Sequence, residues 1–135
     1  MRSFLKRIAK DRRGLGAVEF ALICPALFAG IIGIAQLGIL FYANAGLSQA
    51  VGEGARLATI YPRPTDAQII QKMTDQRFGL QTANITGPTL TNGTSDSANY
   101  VDVTMSYQVP LNFVFFTISP VTLTQTRRAY TYKTS

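Results

Sequence analysis

Few side chains in this sequence are equipped for chemistry, and the most conspicuous is a carboxylate in an apolar setting. Glu19 lies five residues after Gly14 in "RRGLGAVEFALICP", residues 12–25, where an uncharged run begins. A charged carboxylate at the edge of a hydrocarbon layer costs on the order of 2 to 3 kcal/mol. Two responses are open to it: snorkelling toward headgroups near Arg13, or pairing with a specific cation. Charge and depth alone do not separate them. A second group of oxygen donors, Asp96, Asn99 and Asp102, falls at regular spacing and is of the type that holds Ca²⁺. The surrounding "TNGTSDSAN" is more simply a solvated loop rich in turn formers. The remaining inventory is negative. There is no histidine, so no Ser-His-Asp or Cys-His arrangement can be assembled. No cysteine or carboxylate cluster has zinc spacing, and no GxxxxGK phosphate loop occurs. Neither enzymatic activity nor a cofactor is expected. Asn84 and Asn92 head glycosylation tripeptides, which also arise by chance.

The elements around Glu19 explain its setting. From Phe20 to Gly52 there is no charged side chain. Within that run, Phe20 to Ala43 is interrupted only by Pro25 and Gln36. As a helix this stretch is about 36 Å long, enough to cross a hydrocarbon core of about 30 Å. Before it stand Arg2, Lys6, Arg7, Lys10, Arg12 and Arg13, opposed only by Asp11. That imbalance accounts for nearly all of the +6 net charge, because the rest carries seven basic and six acidic residues. A basic leader before an apolar span places the N-terminus in the cytoplasm, with Arg12 and Arg13 setting the orientation. No basic stripe is left on the body of the chain, which argues against nucleic-acid binding. Cys24 is the single cysteine and reads as a small apolar residue inside the span.

Past the span the helical pattern continues. In "NAGLSQAVGEGARLATIY", residues 44–61, Gly46, Ala50, Gly54 and Ala58 recur four apart on one face, the spacing that lets another backbone approach closely. Leu47, Val51 and Ala55 flank them, while Gln49, Glu53 and Arg56 point to water. A single helix is therefore expected from about Leu15 to Ile60, apolar and then amphipathic. "YPRPTD" ends it with two prolines. A second helix is expected after Thr65, which has Gln68 at capping-box spacing, with Gly79 as its stop. "YVDVTMSYQV", residues 100–109, alternates in the manner of a half-buried strand. Weaker strands are expected over about 84–91, bent at Gly87-Pro88, and over 121–132, with "TNGTSDSAN" as a long hairpin loop. Three such strands need a cover, and the rear half of the long helix is the natural one. The connector "PLNFVFFTISP" carries Phe113, Phe115 and Phe116, read as core or as a contact surface.

Glycine, glutamate and span together resemble the class III leader of type IV pilins and pseudopilins. They are most similar to the G/xxxxE(F or Y) site of the Tad (tight adherence, Flp-type) pilus system. Residues 16–58, with Glu19, Pro25 and the later Glu53-Gly54-Ala55-Arg56, resemble the TadE-like family over about a third of the chain. The resemblance implies a minor pilin or pseudopilin in the bacterial inner membrane, with a C-terminal domain in the periplasm. A prepilin peptidase would cut after Gly14, making Leu15 the new N-terminus and Glu19, followed by Phe20, the fifth mature residue. Gly16 is a competing site that would leave Glu19 at the third position. The resemblance further implies that Glu19 pairs with the N-terminal amine of a neighbouring subunit, so the partners would be the peptidase and other minor and major pilins of the same system.

The resulting expectation is an α+β, type IV pilin-like chain. It comprises a leader (1–14), a transmembrane helix (15–43), its amphipathic continuation (44–61) and a small periplasmic domain (62–135) with a short helix and a three-stranded antiparallel sheet. Two alternatives stand beside it. One is an uncleaved single-span anchor displaying a periplasmic binding or adhesion module. The other is a secreted protein cut at the Ala43-Asn44-Ala45 site, although the apolar segment exceeds the usual signal-peptide length.

Overall fold

The computed structural model describes residues 14–95, 98–113 and 118–131. Its first element, α1 (Leu15–Ala58), is a helix of 44 residues. It runs unbroken through Pro25, which cannot donate to the ladder, and stops before Pro62. The expected end at Ile60 moves back to Ala58, with the Thr59 N–H donating to the Arg56 carbonyl and the Ile60 N–H to the Leu57 carbonyl.

Helix α2 (Asp66–Asp75) begins at a complete capping box. The Gln68 N–H donates to Thr65 Oγ1 at 3.3 Å, and the Thr65 N–H donates back to Gln68 Oε1 at 2.9 Å. Its end corrects the sequence expectation. The helix closes at Gln76 rather than at Gly79. Gly79 instead takes φ +74 in the turn that follows, with the Tyr42 ring filling the space a side chain would need.

Three antiparallel strands form one sheet in the order β1-β2-β3: β1 (Ile85–Ser95), β2 (Ala98–Val109) and β3 (Val121–Thr131). A short 3-10 turn, Thr82–Asn84, leads into β1. The bend expected at Gly87-Pro88 is a register shift between Thr86 and Thr89, where Gly87 has φ +95. The long hairpin loop is the second correction. Thr91 to Ser95 pair residue by residue with Asp102 back to Ala98, so most of that polar stretch is strand. Threonine and asparagine signalled a loop, but pairing with β2 outweighs that local preference.

The core lies between the sheet and the rear of α1. Val101, Val103, Met105, Tyr107 and Val109 of β2 face inward onto Leu47, Ala50, Val51 and Ala55, with Ile69 and Met73 of α2 closing one side. On β3 the inward positions are partly polar and tie to the helix by hydrogen bonds. Gln125 Nε2 donates to Asn44 Oδ1 at 3.0 Å, and Arg127 donates to Ser48 Oγ at 3.5 Å. The outer face of the sheet is hydroxylic, with Thr104–Thr126 and Ser106–Thr124 hydroxyl pairs at 2.9 Å each.

Candidate functional site

The candidate site is the forward half of α1. Gly14 stands at the helix N-cap position and Leu15 is its first residue, so the Gly14–Leu15 peptide marks the helix boundary. The competing Gly16–Ala17 bond lies inside the first turn. Leu15 and Glu19 are one turn apart on the same face. Gly14, Leu15, Glu19 and Phe20 are all exposed, and a Cβ on Gly14 would meet no neighbouring atom. Arg12 and Arg13, assigned to orientation, lie outside the described residues.

From Leu15 to Tyr42 no residue is fully buried, and Phe20, Leu22, Ile23, Phe28, Ile31, Ile34 and Phe41 are all open. Side chains of this type, uncovered over such a length, require a nonaqueous neighbour. Among the described residues this helix is the one long and apolar enough to cross a membrane. Cys24 is half-buried on it and unbridged.

The small-residue face has a different surrounding. A Cβ on Gly46 would lie 2.5 Å from the Phe78 carbonyl oxygen, and one on Gly54 2.5 Å from Met73 Sδ and 3.2 Å from Val103 Cγ1. Ala50 and Ala58 are buried beside them. The close approach made possible by these residues is taken up by α2, its following turn and β2 of the same chain. Ala43-Asn44-Ala45, the alternative cleavage tripeptide, lies mid-helix, with Ala43 buried and Asn44 accepting the Gln125 hydrogen bond.

Of the calcium candidates, Asn99 and Asp102 are not brought together. Asp96 lies outside the described residues, and Asn99 and Asp102 are strand residues three apart, hence on opposite faces of β2. Asn99 Oδ1 accepts from Thr94 Oγ1 at 3.1 Å. Both Asp102 oxygens accept from Arg128, at 2.8 Å each. Asn99, expected in the hairpin loop, is part of β2, and the strand separates its side chain from that of Asp102. Asp102 instead joins a small network. The Arg128 guanidinium holds its carboxyl below the usual carboxylate range and itself stacks over Tyr100, 3.8 Å from the ring centroid.

Two features escaped the sequence reading. Gln36, visible only as an interruption of the apolar run, donates from Nε2 to the Asn112 carbonyl at 2.7 Å. Phe78, which no periodic pattern marks, sets its ring edge-on to Tyr42 at 6.1 Å. A lone amide in a membrane-type helix was the one usable signal, since such a group calls for a partner.

The chain thus consists of a long, mostly uncovered apolar helix, a candidate membrane span, carrying a small α+β head. Within it, residues 14–56 match the model of the TadE-like protein family. The matched stretch begins at Gly14, includes Glu19 and ends at Arg56, about a third of the chain. No curated protein and no solved structure matches the chain.

Proposed function

We propose that the chain is a minor pilin or pseudopilin that takes part in assembling a Tad pilus, without catalysis of its own. A prepilin peptidase matures it after Gly14, and its N-terminal helix then packs with those of other minor and major pilins. The N-terminus faces the cytoplasm and the α+β head the periplasm. The observation that carries this reading is the Gly14–Leu15–Glu19 spacing at the very start of an uncovered apolar helix, within the TadE-like match. Cleavage would create an ammonium at Leu15 in the same apolar layer as the Glu19 carboxylate. Each charge alone is costly there, and pairing between neighbouring subunits relieves both.

Expression with and without a prepilin peptidase, followed by intact mass and N-terminal sequencing, tests the proposal. The expected product starts at Leu15 and has 121 residues, only when the peptidase is present. An unchanged Met1 in both samples would establish the uncleaved anchor, and a start at Gly46 the secreted form. Gly14→Val should abolish processing, because a β-branched side chain replaces hydrogen beside the scissile bond. Cleavage after residue 14 in that variant would refute the site. Glu19→Gln should be processed but should lose co-purification with partner pilins; unchanged co-purification and piliation would remove the charge pair.

A further inference from the structure

The hydrogen bond between Gln36 and Asn112 joins two parts of the chain 76 residues apart, and its position is informative. Gln36 lies about 9 Å along α1 on the inner side of Tyr42. It also lies about 24 Å beyond Phe20, where the uncharged run starts, within a hydrocarbon thickness of about 30 Å. Asn112, just after β2, therefore lies at a level below the outer edge of the span. The sequence around it suits that level. "PLNFVFFTISP", residues 110–120, has no charged residue. Leu111 packs against the core, Phe113 is half-buried and Ile118 is 43% exposed.

The hydrogen bond itself argues for a nonaqueous setting. Irregular backbone enters a bilayer only where its polar groups are satisfied by protein. Gln36, the one amide in the apolar run, donates from Nε2 to the Asn112 carbonyl, so that this carbonyl and the amide N–H are satisfied within the protein, while Gln36 Oε1 is buried without a hydrogen-bond partner among the described residues. On another side of the helix, the turn after α2 presents Phe78, 70% exposed, edge-on to Tyr42 at the end of the span. Aromatic rings at this level are the usual occupants of a membrane–water interface.

We propose that the head is seated on the bilayer: Leu111 to Phe113, Ile118 and Phe78 enter the headgroup–acyl boundary of the outer leaflet beside α1. The insertion is shallow, of the order of 5 to 10 Å, as for an interfacial element. The proposal rests on α1 crossing the membrane, and its test separates the two.

Single cysteines at Phe28, Ile118 and Ser95 are introduced into the full chain carrying Cys24→Ser. They are labelled with a small environment-sensitive fluorophore and reconstituted in phosphatidylcholine vesicles. Quenchers are a nitroxide high on the lipid acyl chain, a nitroxide near its end, and aqueous iodide. The label at 28 is expected to respond most to the deep nitroxide, that at 118 several-fold more to the shallow nitroxide than to iodide, and that at 95 to iodide alone. Gln36→Leu should raise iodide quenching at 118 and leave 28 unchanged. Iodide-dominated quenching at 118 with 28 still in lipid would overturn the seated head alone. Iodide access at 28 would instead overturn the span. Protection at 118 from every quencher, growing with protein density in the vesicle, would assign the surface to another subunit and also overturn the proposal.

Discussion

The two halves of α1 have the same backbone and opposite surroundings. In the forward half, Leu37 is mostly exposed and a Cβ on Gly30, Gly33 or Gly38 would meet nothing. In the rear half, Leu47 is fully buried and Gly46 and Gly54 have no room for a methyl group. Glycine thus serves different ends in one element. Ahead of Tyr42 it leaves the helix surface open, and beyond it glycine lets the helix sink onto the sheet and α2. Both halves carry apolar side chains, but only those of the rear half find a partner within the chain.

Paired substitutions, followed by guanidinium unfolding of the full chain in detergent micelles, would break or sharpen that contrast. The largest effect is expected for Leu47→Ala, about 2 to 5 kcal/mol of lost stability, because the cavity forms inside the core. Leu37→Ala should stay within about 0.5 kcal/mol, and comparable losses would show that the forward half is covered within the chain. Next comes Gly46→Ala, expected to cost about 1 to 3 kcal/mol through overpacking against a backbone carbonyl. Gly33→Ala should be neutral or gain up to about 1 kcal/mol of helix propensity. Loss at both glycines would erase the distinction.

Smaller effects lie outside α1. Thr65→Ala removes the side-chain half of the α2 cap and should cost about 1 kcal/mol; no change would mean that packing of Ile69 and Met73 alone sets the helix start. The smallest effect is expected for Asp102→Asn. Arg128 depresses the folded-state pKa of Asp102, so its contribution is present above the unfolded value of about 3.9 and fades as pH falls through the lower folded value. The variant should melt slightly below wild type at neutral pH and together with it in strong acid. A difference that persists in acid would point to packing with Tyr100 rather than charge.

Much of this arrangement was legible in the sequence because it is periodic or punctuated. Val101 to Val109 alternate, Thr65 and Gln68 stand at capping distance, and the uncharged run from Phe20 announces itself by length. The continuation of β1 through Thr91 to Ser95 was not legible, since threonine, asparagine and glycine favour turns until a partner strand supplies their hydrogen bonds. Asn99, expected at the end of the loop, proved to be strand, which puts it and Asp102 on opposite faces of β2. The candidate site divides in the same way. Gly14, Leu15 and Glu19 can be read from spacing along one helix, whereas Gln36 meets Asn112, and Tyr42 meets Phe78, only through contacts between distant parts of the chain.

The unbroken course of α1 also has a mechanical meaning. Beyond Pro25 no second proline interrupts the helix before Ala58, so membrane segment and head share one shaft about 50 Å long. There is no hinge at the boundary to absorb a movement. A tilt of about ten degrees at the membrane end carries the far end of the shaft sideways by about 9 Å. Whatever grips the forward half of the helix therefore steers the head directly.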